Sequence, residues 1–279
     1  MFKQSVTVGI PTLNGPERLT RCLESIEQCT VFDRFENVKV LVCDDGSTEE
    51  NLKLNKDAIH RSETLRRRTS LEMIMSDRRC GIAASWNKLV RQHPSRIIVL
   101  ANDDIEVVDD WLDVLMFSVC ENRHAGMVSL NQFVGVTKLQ VAMVQQTPLR
   151  IDYREAKLLN GDGLLAASSG SIFAFSREAY ESVGGFDERY FCFYEEVDFG
   201  VMLRNQGYCH YIADYPTVFH MGGATNSEPK NLDAAAQLIR SRQLFTEKWG
   251  ATPAQIRDGL VPVLVGTKTW NTQLKFLQD

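Results

Sequence analysis

Short apolar runs alternate along the chain with stretches in which apolar residues recur every three or four positions. Ser5–Ile10 (SVTVGI), Val38–Cys43 (VKVLVC) and Leu71–Met75 are β-type runs. Ile97–Leu100 is uninterrupted, as suits a strand covered on both faces. Between these runs, Leu19, Cys22, Leu23 and Ile26 fall on one helical face, and Gly81–Asn87 opens another helix. That alternation predicts a mainly parallel sheet joined by right-handed crossovers. Farther along, Asp109 or Asp110 is placed to cap a helix bearing Trp111, Leu112, Leu115, Met116 and Val119. Gly126–Leu130 and Gly170–Phe175 read as strands, and Ser176 caps a short helix that ends at Gly184-Gly185. Val197, Val201 and Leu203 continue a helix closed by Gly207, and Tyr211–Ala213 and Val218–Gly223 begin as β-rich runs. Leu232, Ala235, Ala236, Leu238, Ile239, Phe245 and Trp249 suggest an amphipathic helix that packs on the domain or on an acceptor-side partner. From Asn131 to Leu165 the pattern is weak and reads only as mixed β and loop.

The polar residues concentrate where strands end. The first run meets Pro11-Thr12-Leu13-Asn14-Gly15-Pro16, the second Asp44-Asp45-Gly46-Ser47, and the Ile97 run Asn102-Asp103-Asp104. Open α/β sheets bind ligands at the carboxyl ends of their strands, and an acid ending the second strand is a common nucleoside contact. Adjacent carboxylates repel unless something positive compensates them, and hard oxygen ligands suit Mg²⁺ or Mn²⁺. Each acid also has a plain structural reading, as a turn or helix cap. The loops contain no G-x-G-x-x-G and no P-loop pattern. In Gly184–Tyr208, four aromatics (Tyr190, Phe191, Phe193, Tyr194) lead into Glu195-Glu196-Val197-Asp198. Acids there either complement a helix dipole or supply a general base in a cleft walled by the aromatics. His220 stands just before Gly222 and Gly223, which allow close backbone approach to a ligand.

Composition narrows the classes. At 279 residues, with 44% hydrophobic and 24% charged, the chain has an ordinary globular balance. A net charge of −5, with no basic run beyond Arg66-Arg67-Arg68, argues against nucleic acid as a partner. No apolar run is long enough for a membrane span and the amino terminus lacks a secretory core, so a cytoplasmic protein is expected. Seven scattered cysteines without metal-type spacing read as buried free thiols in a reducing compartment.

Taken in order, VTVGIPTLN, VLVCDDGS, LANDDIEV, GGFDERYFCFYEEVD and FHMGG resemble the family-2 glycosyltransferases, GT-A-fold enzymes that use nucleotide-diphosphate sugars. The resemblance covers about residues 5–225. It implies a Rossmann-like, mainly parallel central sheet with helices on both faces, a catalytic domain over 1–225, and a mainly helical extension over 226–279 packed on it. Pro11 and Thr12, with Asn14 in the same loop, would lie along the nucleoside. Asp45 would accept the imide N–H of a UDP- or dTDP-linked donor. Asn102-Asp103-Asp104 would be the D-x-D motif, with Asp104 the direct ligand of Mn²⁺ or Mg²⁺ and His220 an added one. Glu196 would be the catalytic base of an inverting transfer to a carbohydrate or glycan hydroxyl. Two positions depart from the family pattern: Asn102 begins the D-x-D motif, and Glu196 stands where most relatives have aspartate. The second departure leaves Asp198 and Glu195 as alternative bases. Two other classes share such a fold. A sugar-nucleotidyltransferase would want a glycine- and basic-rich first loop, and a non-catalytic binding module would have no use for a base.

Overall fold

The computed structural model describes residues 2–134, 158–160, 169–222, 234–252, 255, 264–265 and 268–269. Strands β1 (Phe2–Thr12), β2 (Phe35–Asp44), β3 (Ser70–Met75) and β4 (Ile97–Ala101) run parallel in the spatial order β3-β2-β1-β4. The chain continues through β5 (Ile105–Glu106), β6 (Ala125–Val134), β7 (Leu158–Asn160), β8 (Ile172–Ser176) and β9 (Cys209–His220). Strand β8 lies antiparallel against both β4 and β6, β9 returns parallel to β6, and β5 and β7 pair antiparallel with β9. The expected parallel sheet is therefore its amino-terminal half, extended by a mixed half. A separate two-stranded hairpin joins β10 (Leu264–Val265) to β11 (Lys268–Thr269).

The helices are α1 (Pro16–Cys29), α2 (Glu49–Arg61), α3 (Glu63–Arg68), α4 (Ile82–Gln92), α5 (Trp111–Glu121), α6 (Arg177–Val183), α7 (Glu195–Asn205) and α8 (Ala234–Trp249). Strand residues alternate between two cores, as the period of two requires. Val6, Val8, Ile10, Ile97 and Val99 pack with Leu19, Leu23 and Ile26 of α1 and Trp111 of α5. Leu41, Ile98 and Leu100 pack on the other face with Trp86 and Leu89 of α4 and Phe199 of α7. Both faces of β4 are thus covered, which is why its sequence is continuously apolar.

Some local expectations hold and some do not. Ser176 caps α6, its hydroxyl accepting from Ala179 N at 3.1 Å, and Gly184 follows in the left-handed region. Gly207 has φ +93°, just past α7. Asp110 precedes α5 but makes no capping bond; its carboxylate takes Arg34 Nη1 at 2.8 Å instead. An ion pair outcompetes the cap there because Asp110 itself sits at φ 63°. Gly223, Leu232 and residues 135–157 and 161–165 of the weakly patterned region lie outside the described residues.

Candidate active site

The carboxyl ends of β1, β2 and β4, the aromatic segment before α7 and the end of β9 together surround a cleft of about 500 Å³. Pro11, Thr12, Asp45, Asn102, Asp103 and Asp104 line it. Glu195, Glu196 and His220 line it too, so most of the residues singled out from sequence converge there. Two do not. Asn14 (φ 50°) ties loops together: its Oδ1 accepts from Thr48 N at 2.8 Å and Asn51 Nδ2 at 3.2 Å. Asp198 is fully buried behind the wall, where Trp249 Nε1 (2.8 Å), Lys248 Nζ (2.7 Å) and the Tyr190 hydroxyl (3.2 Å) donate to it.

Each pair of adjacent acids divides its work. Asp44 makes the turn: its Oδ1 accepts from Gly46 N (3.1 Å) and Ser47 N (2.8 Å), and its Oδ2 from Asn55 Nδ2 (2.8 Å). Asp45 faces the cleft, one oxygen accepting from Cys80 N (2.8 Å) and the other from Gly81 N (2.9 Å). At the end of β4, Asp103 is fixed by the Thr12 hydroxyl at 2.7 Å and Arg18 Nε at 3.4 Å. Burial pushes the Asp103 carboxyl up to about 6, with the Arg18 guanidinium and the Thr12 hydroxyl pulling the other way.

Asp104 is handled differently. The two-residue strand β5 sets Ile105 opposite His220 on β9, and Met221 N donates to Asp104 O at 3.0 Å. His220 Nε2 then lies 3.3 Å from Asp104 Oδ1. That contact lacks hydrogen-bond geometry, and Asp104 Oδ1 and His220 Nδ1 are buried with no partner. Buried polar atoms are normally satisfied, so an orphan carboxylate oxygen beside an imidazole is a reason to expect a ligand. One carboxylate and one imidazole fit Mn²⁺, and fit Mg²⁺ less closely. Among the described residues, no group of three or more His, Cys, Asp or Glu side chains stands where it could hold a metal by itself.

The start of α7 also lines the cleft. Phe193 (φ 70°) and Tyr194 (φ 69°) turn the chain through two left-handed residues, which delivers Glu195 and Glu196 to the cleft. Glu195 is buried and its Oε2 has no partner. Burial pushes both carboxyls above the usual glutamate range, and the neighbouring charge of Glu196 adds to the effect on Glu195. Gly170 stands beside them: a Cβ there would lie 2.9 Å from Glu196 Oε1.

The model of the family described as "Glycosyl transferase family 2" matches residues 7–184. The chain belongs to that family. A relative from Mycobacterium tuberculosis, N-acetylglucosaminyl-diphospho-decaprenol L-rhamnosyltransferase, is 33% identical over 258 residues, 82% of this chain and 80% of its own. Among solved structures, a mannosyltransferase from Pyrobaculum calidifontis in complex with GDP-Man and Mn²⁺ superposes with a TM-score of 0.60 at 19% identity. It covers 92% of this chain and 68% of its own. S. aureus TarS 1-349 in complex with UDP-GlcNAc gives 0.59 at 14% identity, covering 88% and 66%. At such identities these two show the fold, which is GT-A, and the family-2 membership establishes the chain as a glycosyltransferase.

Several residues of this family-2 site escape a reading of the sequence. Arg18 of α1 reaches both Asp103 and, through Nη2 at 3.1 Å, the Leu13 carbonyl. Gly170 carries no signal of its own in the sequence, nor does Ser241 of α8, whose hydroxyl donates to Cys192 O at 2.7 Å. The separation of Glu196 from Asp198 was available, because residues two apart on a helix point to nearly opposite sides.

Proposed function

We propose that the chain is a metal-dependent, inverting glycosyltransferase that moves a sugar from a UDP- or dTDP-linked donor to an acceptor hydroxyl. The observation that carries this reading is that two different acid sets line one cleft. Asp104 and His220 bring orphaned polar atoms to it, and Glu195 and Glu196 line it as well. Thr12 and Asp45 flank the donor side, with Asp45 oriented by the Cys80 and Gly81 amides. Asp104 and His220 would hold Mn²⁺ or Mg²⁺, which when bound offsets the charge developing on the departing diphosphate. Asp103, locked by Thr12 and Arg18, positions the loop that carries Asp104.

Glu196 takes the proton of the acceptor hydroxyl. Half-buried in the cleft, its carboxyl is raised above the usual range by desolvation, which makes it a stronger base than an exposed glutamate, and a direct displacement inverts the anomeric centre. Asp198 already accepts three hydrogen bonds behind the wall, which favours Glu196 over it. The name of the Mycobacterium tuberculosis relative supplies the first pair to try: L-rhamnose as the sugar and an N-acetylglucosaminyl-diphospho-lipid as the acceptor. Residues 226–279 are read as an extension of the catalytic domain 1–225. The contacts of α8 with Asp198 and Cys192 support that reading.

The test is a thermal-shift panel of nucleoside diphosphates with and without Mn²⁺, followed by transfer assays. Ligand at 100 times its dissociation constant stabilises by about 2.7 kcal/mol. Asp104→Ala should lose the Mn²⁺-dependent part of that shift. Glu196→Gln should keep the shift and lose roughly 10²- to 10⁴-fold in turnover. A Glu196→Gln protein that transfers at the wild-type rate refutes the assignment.

A further inference from the structure

Helix α8 meets the cleft along one edge and solvent along another. Phe245 and Ser241 are buried, and the ring of Tyr194 packs 5.7 Å from that of Phe245. The next edge round the helix is different. Leu238 lines the cleft and is 43% exposed; Ile239 is 66% exposed, the most exposed large apolar side chain among the described residues. Arg240 and Arg242 are exposed as well, and neither guanidinium has a partner among the described residues. At 100° per residue, Ile239 stands between the two arginines around the helix, with Leu238 one turn from Arg242 on the cleft side. An isolated exposed isoleucine needs no explanation. One flanked by two unpaired cations and continuous with an active-site rim does.

We propose that this rim of α8 (Leu238, Ile239, Arg240 and Arg242) docks on an anionic lipid surface, so that the cleft opens toward an acceptor held in that surface. The identity of the acceptor rests on the glycosyltransferase reading above; the docking itself does not. Two features favour lipid over a protein partner. The chain carries a net charge of −5, so a bare pair of arginines beside the cleft is a local reversal of sign that complements anionic headgroups. Arginine stems also lie along apolar surface while their heads stay wet, the arrangement an interfacial helix uses. With two apolar side chains and two charges, the contact is reversible, which lets the enzyme exchange acceptors.

The experiment is flotation of the full chain with phosphatidylcholine vesicles, with and without phosphatidylglycerol, at low and high salt. Binding is expected only with phosphatidylglycerol and should weaken with salt. Arg240→Ala with Arg242→Ala should lower the partition coefficient about 30-fold, at about 1 kcal/mol per arginine. Ile239→Ser should lower it about tenfold. The thermal shift with UDP and Mn²⁺ should be unchanged in both variants. The proposal is overturned if the wild type does not float with phosphatidylglycerol or if the arginine variant floats equally well. It is also overturned if sedimentation shows a dimer that Ile239→Asp dissociates, which would make the patch a contact between copies. Vesicle binding that persists when no nucleoside diphosphate gives a shift would uphold the docking and sink the donor reading instead.

Discussion

Lys248→Met isolates the link between α8 and the helix that carries the candidate base. Lys248 Nζ lies 2.7 Å from Asp198 Oδ2 and 2.9 Å from Asp187 Oδ2. Asp198 has no solvent exposure, so its charge cannot fall back on water. Removing one partner of a buried pair costs about 3 to 5 kcal/mol. The Tyr190 and Trp249 donors remain, which places the expected loss near the lower figure, about 3 kcal/mol. Methionine keeps the aliphatic packing, and Asp187 keeps Arg189 at 2.6 Å. For a chain of this size the melting temperature should fall by roughly 6 to 12 °C.

The pH dependence has a definite sign. Burial raises Asp198 above its unfolded value even with Lys248 present. A raised acid means that the folded state binds the proton more tightly, so stability falls as pH rises through the folded value. Without Lys248 that value rises further, and the deficit of the mutant should grow from pH 5 to pH 8. Asp187 is held below the ordinary range, chiefly by Arg189, so its own effect is confined to lower pH. Urea unfolding followed by circular dichroism measures this directly. Adding Asp198→Asn to Lys248→Met removes the stranded charge and should recover most of the loss. Equal stabilities at pH 8, or a deficit that shrinks with rising pH, refute the reasoning.

Gly170→Ala should leave folding and donor affinity unchanged, because the clash at 2.9 Å is with the flexible end of Glu196. Displacing that carboxylate should cost 10- to 100-fold in kcat, roughly what a misplacement of about 1 Å costs; an unaltered kcat places Glu196 outside the chemistry. The acid limb of the kcat/KM profile should lie above pH 4.3, the ordinary glutamate value, with activity rising through it. A limb at or below about 4 contradicts a base raised by desolvation. UDP and dTDP should bind more tightly than CDP or GDP, since Asp45 Oδ2 accepts only the Gly81 amide and has room for an imide N–H, while the Cys80 amide and thiol occupy Oδ1. Equal affinities in competition reject that role.

Much of the framework can be read from local pattern. The apolar runs at Ser5, Val38 and Ile97 became β1, β2 and β4, and the stripe at Leu19, Cys22, Leu23 and Ile26 became the buried face of α1. Helices α2 and α3 were not legible, because only Asn55, Ala58 and Leu65 of their residues are buried, too few to make a periodic stripe. Spacing marked the acid pairs but not the member that faces the cleft. Asp44 and Asp45 alternate sides at a strand end, and the choice is made by Asn55 on α2 and by the Cys80 and Gly81 amides. The meeting of Asp104 with His220 depends on the pairing of β5 with β9, and a strand of two residues leaves no pattern in a sequence.

The position of Glu196 illustrates a further dependence that local pattern cannot carry. Phe193 and Tyr194 are consecutive aromatics in the left-handed region, where each non-glycine residue costs about 1 to 2 kcal/mol. Such a turn persists only where its surroundings over-determine it. Here Phe191 O accepts Ile82 N from α4 at 2.9 Å, and Cys192 O accepts the Ser241 hydroxyl from α8 at 2.7 Å. Tyr194 packs on Phe245, while Lys248 and Trp249 hold Asp198 in the first turn beyond. The loop is therefore clamped from both sides, one clamp on α4 and one on α8. Releasing the α8 clamp would let Phe193 and Tyr194 relax toward ordinary dihedrals and swing the start of α7. The carboxylates would then leave the cleft without any change in their own sequence. A helix far along the chain from the β1 and β2 loops thus sets the geometry of the segment that carries the proposed base.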